Sequence, residues 1–83
     1  MEVQVSPSAM KYLRRMPQPE KGRIEKALNA LAEEPPRGDI RTLEGKDGYR
    51  MRVGGYRVLF DVVEKKIVVH SIAPRGQAYK GGF

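Results

Sequence analysis

The chain opens on a strict alternation. Glu2-Val3-Gln4-Val5-Ser6 sets polar against apolar residues at every second position, which predicts a short strand with one buried face. Ser6-Pro7 then reads as a helix N-cap followed by proline at the first helical position, where its missing N–H costs no hydrogen bond. Ala9, Leu13 and Met16 fall on one side of the helix that follows, and Pro17 and Pro19 break it. A second helix is predicted from near Pro19-Glu20 to about Glu34. Ile24, Ala27, Leu28 and Leu31 stand at i, i+3, i+4 and i+7 and form its apolar stripe, and Pro35-Pro36 ends it. The second half of the chain changes period. Tyr49–Val53, Tyr56–Val63 and Ile67–Ala73 are rich in Val, Ile, Tyr and Phe and are separated by Gly54-Gly55 and by Glu64-Lys65-Lys66. This pattern predicts a three-stranded antiparallel meander. The expected class is α+β in the order β-α-α-β-β-β: a small antiparallel sheet with a two-helix hairpin on one face and the other face free. Residues 1–83 are expected to form a single domain, with Pro74–Phe83 as an irregular tail.

The Gly54-Gly55 turn allows the register to be counted. A two-residue hairpin pairs Val53 with Tyr56, hence Arg52 with Arg57, Met51 with Val58, Arg50 with Leu59 and Tyr49 with Phe60. Side chains alternate between faces. Tyr49, Met51, Val53, Tyr56, Val58, Phe60 and Val62 then share the face turned to the helices. Arg50, Arg52 and Arg57 share the other, with Leu59, Asp61 and Val63 further along. Two like charges directly across from one another are unfavourable. Guanidiniums gathered on one face are also a plausible phosphate site, because each presents a planar fork of donors. The alternative is an ordinary solvated face.

Composition narrows the function classes. Among 83 residues, 16 are Lys or Arg and 10 are Asp or Glu, for a net charge of +6. That excess favours a polyanionic partner, either nucleic acid or an acidic protein. There is no Cys, which excludes a disulfide scaffold, a thiolate zinc site and a thiol nucleophile. A single His argues against a multi-histidine metal site. No apolar run is long enough to span a bilayer, so a soluble, cytoplasmic protein is expected. No phosphate-binding glycine loop or paired-carboxylate site is present, and no cofactor is expected.

Three segments carry a family resemblance: Leu43-Glu44-Gly45, the block Gly48–Phe60, and Ile72-Ala73-Pro74-Arg75-Gly76-Gln77-Ala78-Tyr79. With the opening strand and the helical hairpin, they make the chain resemble a RelE/ParE-superfamily toxin of a type II toxin–antitoxin pair. The RelE-like branch implies a ribosome-dependent, metal-independent endoribonuclease that cuts mRNA in the decoding site by attack of the 2′-hydroxyl on the neighbouring phosphate. Carried over by position, Arg50 and Arg52 match the family's basic pair and Arg57 the arginine after the turn. Arg75 and Tyr79 match the arginine and tyrosine that follow the last strand. In the best-known pattern the basic pair is Lys; here both are Arg, a poor base, so no general base is evident. His70 faces the core if the Glu64-Lys65-Lys66 turn has three residues and faces the arginines if it has two. Tyr79 is the other candidate base.

The resemblance also implies a cognate antitoxin, expected to offer an acidic, amphipathic segment, and the ribosome with its mRNA as target. Lys46, in the loop before the arginine strand, and Lys11, Arg14 and Arg15 on the first helix are candidates for RNA contact. For each, an ordinary solvated side chain is the alternative. Two other functions stay open: a ParE-like toxin that binds DNA gyrase without nuclease chemistry, and a degenerate member that acts only by binding.

Overall fold

The computed structural model describes residues 1–45 and 47–74. Two helices, α1 (Pro7–Arg15) and α2 (Glu20–Leu31), cover one face of a sheet built from β1 (Glu2–Val5), β2 (Asp39–Thr42), β3 (Tyr49–Val53), β4 (Tyr56–Val63) and β5 (Lys66–Pro74). The strand order is β1-β5-β4-β3-β2. The α+β class holds, and the structure adds an edge strand, β2, to the expected order. It also makes the sheet mixed, because β1 runs parallel to β5 while every other neighbour is antiparallel. The alternation in Glu2–Val5 selects the buried face; it says nothing about the direction of the partner strand.

The local signals work as their chemistry suggests. Ser6 Oγ accepts from the Ala9 N–H at 3.2 Å and caps α1 above Pro7. The same hydroxyl donates to the His70 carbonyl at 2.8 Å and ties the helix start to β5. α2 stops at Leu31, three residues before the expected Glu34. Glu34 precedes Pro35, whose ring disfavours the helical conformation there. The chain instead folds back so that the Arg37 N–H donates to the Ala30 carbonyl at 3.1 Å.

The core lies between the helices and the inner face of the sheet. Ala9, Leu13 and Met16 from the α1 side and Ile24, Leu28 and Leu31 from α2 meet Met51, Val58, Phe60, Ile67, Val69 and Ile72. Burying an aliphatic or aromatic side chain of this size contributes roughly 1.5–3 kcal/mol relative to exposure. Tyr49 stacks on Phe60, with ring centroids 5.5 Å apart and planes 20° from parallel. The expected inner face is therefore present, except that Val62 lies beyond the helices and is 43% exposed.

The turns fix the outer face. Val53 pairs with Tyr56 and Arg52 with Arg57, as the Gly54-Gly55 count requires. Gly54 takes φ +57°, the left-handed value that the first residue of a type II′ hairpin turn needs. At the next turn Val63 pairs with Lys66, so Glu64 (φ 49°) and Lys65 (φ 64°) alone form the connection. The register then shifts beside Leu59/Phe60: Leu59 pairs with Ser71 but Phe60 with Val69. His70 is the extra residue of that bulge, a device that re-aims side chains.

Candidate nucleic-acid interface

The outer face is organised in cross-strand rows. Paired residues on neighbouring strands point to the same side of the sheet. Arg41 on β2, Arg50 on β3, Leu59 on β4 and Ser71 on β5 form one row. Asp39, Arg52, Arg57 and Ala73 form the next. The rows lie two residues apart along the strands, or roughly 6.6–6.8 Å. Three arginines were expected on this face, and the structure brings those three together with Arg41 as a fourth.

The face is not free, contrary to expectation. Leu43, just past β2, packs with Leu59 and Ala73 into a small second core on this side. Its loop is closed by a Leu43 N–H to Gly48 carbonyl bond of 3.0 Å, with Gly45 and Gly48 both at positive φ. Arg50 and Arg57 retain only 9% and 8% of their surface. Among the described residues, Arg50 Nη1 is buried with no hydrogen-bond acceptor. A charged donor in that state is costly in an isolated protein and becomes an asset when an anion arrives.

The other charged groups on the face are sparse. Arg41 Nε lies 3.9 Å from Asp39 Oδ1, and both side chains are more than half exposed. Further along, His70 Nε2 and Asp61 Oδ2 are 2.9 Å apart. The two-residue turn and the bulge together thus decide the orientation of His70: it stands with Asp61 on the arginine face. A carboxylate partner fixes an imidazole's tautomer and orientation. On the opposite, helix-covered side, burial raises the pKa of the Tyr12 phenol, with a further contribution from Tyr56.

Not every candidate joins the site. Lys11, Arg14 and Arg15 lie exposed on α1. That helix buries Ala9 and Leu13 against the inner face of the sheet, so its basic side lies in the layer remote from the arginine rows. Arg14 and Arg15 occupy the last helical turn, where cations complement the helix dipole. Lys46, Arg75 and Tyr79 lie outside the described residues, as does the expected tail beyond Pro74; Pro74 itself pairs with Tyr56 inside β5. Arg41 was missed because β2 is four residues long and carries two charges, so it reads as loop. The signal that would have found it is Ile40, which sits opposite Met51 and turns Arg41 to the outer face.

The fold described above has known relatives. The family model for the ParE toxin of type II toxin–antitoxin systems (parDE) matches residues 3–79. A crystal structure of the archaeal RelE–RelB complex from Pyrococcus horikoshii contains a chain 34% identical, covering 93% of this chain and 97% of that one, with a TM-score of 0.78. The isolated E. coli RelE toxin shares the fold at 20% identity, over 94% of this chain and 87% of that one, with a TM-score of 0.75. RelE in the RelB–RelE complex from Methanococcus jannaschii also shares it, at 22% identity, 87% and 89% coverage and a TM-score of 0.72. No curated protein matches the chain. With its two helices on a five-stranded mixed sheet and a family match running almost end to end, the chain belongs to the ParE toxin family, within the RelE/ParE superfamily of type II toxin–antitoxin systems.

Proposed function

We propose that this toxin is an endoribonuclease that cuts mRNA on the ribosome and so inhibits translation. The observation that carries the reading is the concentration of guanidiniums in two adjacent rows, with Arg52 directly across from Arg57 and Arg41 across from Arg50. Such crowding opposes stability and suits a polyanion. In the proposed reaction the RNA 2′-oxygen bonds to the adjacent phosphorus as the bond to the 5′-oxygen breaks. The 2′ proton passes to a base, and the leaving 5′-oxygen takes up a proton. A cyclic phosphate and a 5′-hydroxyl result. Arg52 and Arg57 stabilise the charge that builds on the non-bridging oxygens. Arg50 adds a buried donor in the adjacent row. His70, held by Asp61, supplies the proton-transfer group that an arginine pair lacks. Arg75 and Tyr79 are proposed to serve the leaving oxygen and the flanking base.

An antitoxin is the proposed protein partner. The 34%-identical Pyrococcus horikoshii RelE is in complex with RelB. An acidic segment would suit the +6 charge and the same arginine rows. The reading is tested by primer-extension mapping of an mRNA in a cell-free translation reaction, with naked RNA as control. Cuts in phase with codons, on translated message only, are expected. They should disappear with Arg57→Ala.

A second reading has its own support, since the matching family model is that of the ParE toxins. A ParE-like member would act on DNA gyrase without cutting RNA. An intact message together with inhibited DNA supercoiling would select that reading.

A further inference from the structure

On the proposed reading the Arg52/Arg57 row takes the scissile phosphate, which leaves the row formed by Arg41 and Arg50 for another contact. Its two guanidiniums sit directly opposite one another on β2 and β3. Opposed Cβ atoms in such a pair are about 4.5–5.5 Å apart. Stability alone would place an acid at one of the two positions. The carboxylate near Arg41 is instead Asp39, two residues back on the same strand, at a loose 3.9 Å with both side chains largely in solvent. Arg50 is the opposite case: nine-tenths buried, with Nη1 lacking an acceptor among the described residues. One partner is buried with an unsatisfied nitrogen, the other exposed and loosely paired. That pairing suits capture of an anion between Arg41 at the sheet edge and Arg50 inside it.

The row spacing indicates which anion. Two residues of strand, roughly 6.6–6.8 Å, separate this row from the Arg52/Arg57 row. That step is comparable to the distance between successive phosphates of an extended single strand. We infer that Arg41 and Arg50 form a second anion subsite, which holds the phosphodiester next to the scissile one in single-stranded RNA, and that Asp39 is a placeholder displaced from Arg41 when RNA enters. The inference rests on the nuclease reading of the same face. Arg41 is thereby a positioning residue: it sets the register of the RNA and takes no part in the bond changes.

The test is the salt dependence of binding, read by fluorescence anisotropy with the full chain and a single-stranded RNA oligonucleotide bearing 2′-O-methyl groups, which block cleavage. Each phosphate contact to a single strand contributes about 0.7 to the slope of log K against log salt. Arg41→Ala should lower the slope by about 0.7 and weaken binding several-fold. Arg41→Lys should restore the slope, because it restores the charge. Asp39→Asn should tighten binding, a change in the opposite direction that damage to the fold would not produce. In the translation assay, Arg41→Ala should raise KM and leave kcat near the parent value. An unchanged slope for Arg41→Ala, or weaker binding for Asp39→Asn, overturns the subsite. So does failure of the parent to bind the oligonucleotide while an acidic peptide binds through Arg41, which would assign the row to a protein partner. The nuclease reading fails separately, if translated message stays intact with the parent protein.

Discussion

Replacing Arg50 with methionine should stabilise the toxin and abolish its activity together. Arg50 is nine-tenths buried, and its Nη1 has no acceptor among the described residues. A buried donor in that condition costs about 1–3 kcal/mol, and more when charged. Arg41 stands directly across the β2–β3 pair, and a like-charge pair there costs a further 0.2–1 kcal/mol, roughly. Methionine keeps an unbranched apolar stem of similar reach beside Leu59, its cross-strand neighbour on β4. It therefore removes both penalties without opening a large cavity. The net gain is about 1–4 kcal/mol. For a domain of this size, each kcal/mol moves the melting temperature by roughly 4–8 °C. Arg50→Met should melt at least about 5 °C above the parent in circular dichroism. The repulsive part of that gain should shrink at high salt, and the desolvation part should persist. Cleavage of translated message should be lost in the same variant. A melting temperature at or below that of the parent refutes the reasoning, since it would mean that Arg50 contributes to stability and is not held in reserve for a ligand.

Three other substitutions probe separate links. His70→Gln should lower the cleavage rate by about 10²–10⁴, the usual range for a lost acid–base group; an unchanged rate removes His70 from the mechanism. Gly38→Ala should destabilise the β2–β3 edge by about 1–3 kcal/mol, because Gly38 has φ +144° and an added Cβ would meet Met51 Sδ at 2.8 Å; urea unfolding measures it, and a neutral result refutes the clash. Tyr12→Phe should flatten the decline of stability at alkaline pH. Burial first, and Tyr56 second, raise the Tyr12 pKa above its ordinary 10.0, so its stabilising effect is complete below that value and is lost as pH rises through the raised one. A variant as base-sensitive as the parent would contradict this.

Much of the site was legible because one turn carried it. Gly54-Gly55 sets the pairing of Arg52 with Arg57, and strand alternation then sorts every residue of β3 and β4 between faces. Three features were not legible, each for a physical reason. β2 has no hydrophobic periodicity of its own; Asp39-Ile40-Arg41-Thr42 becomes a strand only by pairing with β3. The orientation of His70 depends on a turn built from Glu64 and Lys65 at positive φ and on a bulge, and side-chain chemistry announces neither. The cover over the outer face comes from Leu43, a lone apolar residue in a polar loop, whose burial depends on the loop folding back over Leu59. Local periodicity records what each strand buries, whereas edges, bulges and folded-back loops are set by contacts distant in sequence.

The two faces of the sheet follow opposite rules, and that contrast supports the functional assignment most directly. The inner face follows local preference except at exposed Val62: apolar residues alternate inward, Tyr49 stacks on Phe60, and the helices close over them. The outer face breaks several at once, with Arg41 across from Arg50, Arg52 across from Arg57, and Arg50 Nη1 buried without an acceptor among the described residues. Sequences that otherwise fold consistently break such rules where binding requires it. Any anion that fits these rows relieves the same strain, and a ligand that binds only the folded state stabilises it by mass action. An acidic antitoxin segment and an RNA backbone would then compete for one set of arginines. Neutralisation of the toxin needs no allosteric change under this scheme, because the inhibitor occupies the charge that the substrate requires.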